Sequence, residues 1–145
     1  MTDQISAVTN ATQARTVETF LKAMQTQDFD TIDALVADDI VYQNVGLPTI
    51  RGGARVRKLL RSMEGRMGFE VKLHRNVAEG GTVLNERTDV IVLGRLRLQF
   101  WVCGVFEVRD GQIALWRDYF DFFDFTKAIV RGIVGTVIPS VRATL

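Results

Sequence analysis

The sequence predicts an α+β domain, and three observations lead there. Apolar residues recur at helical spacing in three stretches between Thr16 and Met63, the period changes to two from Phe69 onward, and glycine-containing turns separate the alternating runs. Segregated elements of this kind pack as helices on one face of a curved sheet, enclosing a pocket between the two layers. A length of 145 residues, 47% of them hydrophobic and 24% charged, suits one domain over residues 1–145 with a buried core. No internal repeat, low-complexity linker or composition break divides the chain.

The elements follow in order. Thr16 to Gln25 places Val17, Phe20, Leu21 and Met24 on one helical face, and Thr31 to Val36 reads as a second short helix after the turn at Asp28–Asp30. Ile40 to Val45 reads as a strand, closed by the turn-forming Gly46-Leu47-Pro48. Gly52 to Met63 is helical in period through Val56, Leu59, Leu60 and Met63. Arg55, Arg57, Lys58 and Arg61 surround that stripe without interleaved aromatics, the pattern of a solvated helix face rather than a phosphate site.

Phe69, Val71, Leu73 and Val77 alternate with polar residues up to the Gly80-Gly81 turn. Thr82–Leu93, Arg95–Val108 and Gln112–Phe120 follow as long strands joined at Gly94-Arg95 and Asp110-Gly111, an antiparallel meander. In the last apolar segment, Lys127 to Pro139, residues Ile129, Val130, Ile133, Val134 and Val137 recur at helical spacing. Gly132 and Gly135 weaken that helix, Pro139 stops it, and its stripe is expected to cover the domain or a dimer partner rather than lie on a membrane.

Several function classes drop out. A net charge of +1 creates no long-range field for nucleic acid or an anionic membrane, and no apolar run reaches the roughly eighteen residues of a spanning helix. The single Cys103 cannot form an internal disulfide, and Met1 to Asn10 has neither the basic nor the apolar region of a secretion signal, so a soluble, cytoplasmic protein is expected. Cys103 reads as a small buried hydrophobe. The only histidine, His74, points away from Phe69, Val71 and Leu73, which leaves no base for a Ser-His-Asp or Cys-His mechanism. No His or Cys set has metal-ligand spacing, so no metal site is expected, and neither Gly65–Gly68 nor Gly132–Gly135 has the pattern of a phosphate loop.

Residues two apart on a strand share a face. Arg87 and Asp89 therefore join Val83 and Ile91, Asp118 joins Trp116 and Phe120, and Asn44 joins Tyr42. Three strands thus carry polar groups on faces otherwise supplied with apolar neighbours, and isolated buried charges are costly enough that these should meet. Two aspartates and one arginine balance when one acid holds a proton. The residues alone fit two readings: an ion-pair network holding the sheet together, or an acid and a base bridged by a cation for concerted proton transfer.

The segments VYQNVGLP, NERTDV and GVFEVRDGQIALWRDYFD resemble corresponding segments of the limonene-1,2-epoxide hydrolase family, with a likeness running from about Thr16 to Phe125 and departing beyond it. The resemblance implies a cone-like α+β fold of the cystatin and nuclear-transport-factor-2 type, a curved mixed sheet with helices on its concave side around a deep pocket. It implies a homodimer that adds water to an epoxide in one step without metal or cofactor. Position by position, Asp89 matches the general acid, Asp118 the general base and Arg87 the bridge between them, while Tyr42 and Asn44 match the partners of the nucleophilic water. Trp116 matches an aromatic of the lining, and Phe100, Phe106 and Phe120 would extend that surface toward a hydrophobic epoxide. Two other functions fit the same fold: a proton-transferring isomerase using Tyr42 and Asp118, and a non-catalytic binding or dimerisation module.

Overall fold

The computed structural model describes residues 1–145 and shows four helices and a six-stranded mixed sheet. The elements are α1 (Thr2–Thr26), α2 (Phe29–Leu35), β1 (Val36–Asn44), β2 (Ile50–Arg51), α3 (Gly53–Arg61), β3 (Gly68–Glu79), β4 (Thr82–Leu93), β5 (Leu96–Arg109), β6 (Gln112–Tyr119) and α4 (Phe122–Val137), followed by a 3-10 turn at Pro139–Val141. The strand order is β2-β1-β6-β5-β4-β3. From β3 to β6 the sheet is the antiparallel meander the alternation predicts, and β1 closes it by pairing parallel to β6.

Local chemistry explains several boundaries. Asp28 caps α2 by accepting from the Thr31 N–H, and Asp121 caps α4 by accepting from Asp124 N–H, each satisfying a donor that helix geometry leaves free. Helix α1 begins fourteen residues before the predicted Thr16, because its first turns show no amphipathic stripe. Those turns project from the sheet, with Ile5 and Val8 exposed, so nothing selects for one apolar face there. Two bonds tether this stretch: Asn10 Oδ1 accepts from Gly80 N–H, and Asn76 Nδ2 donates to Ala14 O.

The main core lies between the concave face and α1, α2 and α3. Val17, Phe20, Leu21 and Met24 pack with Ile32, Val56 and Leu60 against Val83, Phe106, Val108, Ile113 and Trp116. Each large apolar side chain buried there contributes roughly 1.5–3 kcal/mol. Two of the basic residues of α3 are latches rather than a free solvated face. Arg57 bonds Asp38 and the carbonyl oxygens of Asp33 and Val36, while Arg61 pairs with Asp33. A charge near a neighbouring helix's acids finds partners that periodicity does not reveal.

Three further expectations are corrected. Val77 points to solvent, because the β3–β4 register slips between Leu73 and Arg75; one extra residue at His74 reverses the alternation, and Asn76 and Ala78 turn inward instead. Cys103 is exposed rather than buried, since Val102, Gly104 and Phe106 occupy the inward positions of β5. Helix α4 buries its small residues, Ala128, Gly132 and Gly135, and turns Ile129, Val130, Ile133, Val134 and Val137 outward. A Cβ at Gly132 would stand 2.8 Å from the Arg97 carbonyl oxygen, so glycine sets how closely α4 approaches β5.

Candidate active site

The three strands that carry polar pairs converge on one cavity of about 470 Å³ between the sheet and the helices. Its wall includes Tyr42, Asn44, Asp89, Trp116 and Asp118. Of 21 lining residues 15 are hydrophobic, so the polar groups stand in an apolar setting that strengthens their mutual interactions.

Register brings them together. On β4, alternation aims Asn85, Arg87 and Asp89 inward, and all three are buried. Parallel pairing sets Tyr42 opposite Trp116 and Asn44 opposite Asp118, while antiparallel pairing sets Gly104 of β5 between Asn85 and Asp118. Arg87 Nε donates to Asp89 Oδ1 at 2.9 Å and Oδ2 at 3.1 Å, and Nη2 donates to Asp118 Oδ2 at 2.6 Å. The third edge of the guanidinium is also held, by Asn85 Oδ1 at 2.9 Å from Nη1. Trp116 Nε1 donates to the same Asp118 Oδ2 at 3.0 Å, and Asp118 Oδ1 has no protein partner. Beside it, Asn44 Nδ2 donates to the Tyr42 hydroxyl at 2.8 Å, and the Tyr42 ring packs on Trp116.

Burial governs the charges. Asp89 is raised from an ordinary 3.8 to about 6, chiefly by desolvation; the Arg87 cation opposes the rise, and the Asp118 charge adds to it. Asp118 is raised for the same first reason, against the pull of Arg87 and of the Trp116 N–H. Desolvation works against the Arg87 cation, but the charges of Asp118 and Asp89 outweigh it and Arg87 stays protonated. Burial and the Asp118 charge push Tyr42 up to about 12, which keeps it a neutral phenol. The result is two buried carboxyls sharing one cation, able to hold a proton well above the usual carboxylate range.

Among the aromatic residues expected to form the lining, Phe100, Trp116 and Phe120 do so and Phe106 does not. Phe106 shares their side of the sheet but lies deeper, fully buried, stacked against Trp116 with its ring 6.0 Å from Arg87 Cζ. It backs the polar cluster instead of facing the cavity. Phe125 lines the cavity from α4, and Met63, Met67, Phe69, Ile91 and Leu93 surround the rest. Both methionines come from the segment between α3 and β3; Met63 continues the apolar stripe of α3, whereas no local pattern signals a lining role for Met67. Asn85 had a signal, since it lies two residues before Arg87 on the same strand.

Comparison with known proteins adds independent information. The sequence model described as "Limonene-1,2-epoxide hydrolase catalytic domain" matches residues 11–131, which carries the likeness past Phe125. Epoxide hydrolase EphG of Mycobacterium tuberculosis is 61% identical over 129 residues, covering 89% of this chain and 87% of that protein. The solved structure of an M. tuberculosis LEH-like epoxide hydrolase superposes with a TM-score of 0.92 at 59% identity, covering 94% of this chain and 97% of the other. A Kribbella flavida structure described provisionally as a ketosteroid isomerase superposes with a TM-score of 0.65 at 17% identity, covering 77% and 79%, a likeness of fold alone.

Proposed function

The chain belongs to the limonene-1,2-epoxide hydrolase family and is an epoxide hydrolase, and we propose that it converts a hydrophobic epoxide to a vicinal diol in one step, without a covalent intermediate. The observation that carries this reading is the Arg87 guanidinium joining Asp89 and Asp118 in the wall of a largely apolar cavity.

In this reading Asp89 donates its proton to the epoxide oxygen as the C–O bond breaks, avoiding a free alkoxide. Water forms the new C–O bond and gives a proton to Asp118. The donor set favours that division: Asp118 receives both the Arg87 Nη2 and the Trp116 Nε1 hydrogens on Oδ2, whereas Asp89 receives only Arg87 Nε. More donors favour the ionised form, so Asp118 is the better base and Asp89 the better acid when the pair holds one proton. Asp118 Oδ1, without a protein partner, is the oxygen available to a water, and in this reading the hydrogen-bonded pair of Tyr42 and Asn44 orients it. Proton transfer by a placed group contributes about 10²–10⁴-fold in rate, and holding the reactants in line adds to it. A proton moved from Asp118 to Asp89 afterwards restores the starting state.

The apolar lining supports a hydrophobic substrate. We read residues 1–145 as one catalytic domain that functions as a homodimer, supported by the outward apolar stripe of α4 from Ile129 to Val137. The exposed free thiol of Cys103 fits a reducing, cytoplasmic setting. The isomerase alternative has no use for Arg87 between two acids.

The test is a panel of apolar epoxides, followed by a single turnover in heavy-oxygen water with any that gives diol. The one-step reading expects label in the first diol formed. A first diol that carries no label means an enzyme carboxylate attacked the epoxide, and no diol from any epoxide removes the hydrophobic-substrate reading.

A further inference from the structure

The guanidinium of Arg87 must cross a whole strand. It leaves β4, bonds Asp118 on β6, and passes over β5 between them. At the crossing stands Gly104, opposite Asn85 on one side and Asp118 on the other. A Cβ at Gly104 would lie 2.4 Å from Arg87 Nη1, 2.7 Å from Asn85 Oδ1 and 3.0 Å from the Phe106 ring. Gly104 is not one of the glycines with positive φ, so space and not backbone conformation requires the missing side chain.

Asn85 is the second unusual choice. It is 5% exposed and its Oδ1 accepts from Arg87, yet its Nδ2 is buried without a partner. A residue serving stability alone would be apolar there, as Val83 two positions earlier is, because an unpartnered buried donor is destabilising. An aspartate would hold Nη1 equally well but would place a third carboxylate on one cation.

We propose that Asn85 and Gly104 are positioning residues of the acid–base pair: Gly104 leaves the passage by which Arg87 crosses β5, and the neutral Asn85 amide holds its third edge without adding charge. The proposal rests on the reading of Arg87, Asp89 and Asp118 given above. Asn85 thereby sets the number of protons the pair holds, and Gly104 sets the geometry of the bridge.

The test uses the full chain with an apolar epoxide such as styrene oxide. In Asn85→Asp the added charge raises the carboxyl pKa values, so the pH profile of kcat/KM should move upward by about one unit or more. In Asn85→Leu and Gly104→Ala the bridge is misplaced, so kcat should fall about 10²-fold with KM within about threefold. Thermal unfolding of each variant reports folding separately, and a purely structural role would lower the unfolding temperature without moving the pH profile. An unmoved profile in Asn85→Asp overturns the charge role; wild-type kcat in both Asn85→Leu and Gly104→Ala overturns the positioning role. If Asn85→Asp does not fold, kcat of the other two decides. Asp89→Asn and Asp118→Asn run alongside: if they keep turnover, the underlying assignment fails, and if they lose it while the cradle variants behave as wild type, only the cradle fails.

Discussion

Replacing Asp89 with asparagine should change how stability depends on pH, by an amount the structure fixes. The Asp89 carboxyl is 4% exposed and is raised from an ordinary 3.8 to about 6. The folded protein therefore holds this proton more tightly than the unfolded chain does. Its contribution to stability is full below about pH 4 and is lost as pH rises through about 6. A shift of about two units at 1.36 kcal/mol each makes the loss about 3 kcal/mol between pH 4 and pH 7. The amide of Asp89→Asn does not titrate, so the variant should lack this slope. Asp118 is raised in the same sense but is present in both proteins, and so leaves the comparison largely intact. The assay is urea unfolding at pH 4, 5, 6 and 7 with linear extrapolation to water. The stability of the variant relative to wild type should increase by about 3 kcal/mol across that range. Parallel profiles would refute the argument, because they would mean that Asp89 holds its proton no more tightly when folded.

Asp118→Asn should lower kcat by about 10³-fold or more while an apolar ligand binds within about threefold of wild type, followed by diol formation and by Trp fluorescence. Trp116→Phe keeps a ring against Tyr42 but deletes the N–H that holds the Asp118 carboxyl down. The acid limb of its kcat/KM profile should therefore move to higher pH, and an unmoved limb would separate Trp116 from the titration of Asp118. Gly132→Ala puts a methyl 2.8 Å from the Arg97 carbonyl oxygen and should cost about 1–3 kcal/mol, read as a lower Tm by calorimetry.

Much of the candidate site was legible because strand alternation is a local property. Spacing of two aims Arg87 with Asp89, Trp116 with Asp118 and Tyr42 with Asn44, whatever the rest of the chain does. Phe106 shows the limit of that reasoning. Parity places it on the same side as Phe100, but depth along the strand, set by where α1 packs, makes it backing rather than lining. Asn85 lies in the same row by the same parity, but an uncharged amide beside two charged groups carries no signal of its own in the sequence.

Most element types from Thr16 onward, the long strands from Thr82 and the inward aim of Arg87, Asp89 and Asp118 follow from local pattern, since each depends on neighbours a few positions away. The folded structure was needed for the parallel seating of β1 on β6, the slip at His74 that turns Val77 outward, and the use of α4's small residues as its packing face. It alone showed why Gly104 matters. A guanidinium reaching from β4 to β6 needs an absent side chain on the strand between, and which strand lies between is settled by pairing partners far apart in the chain.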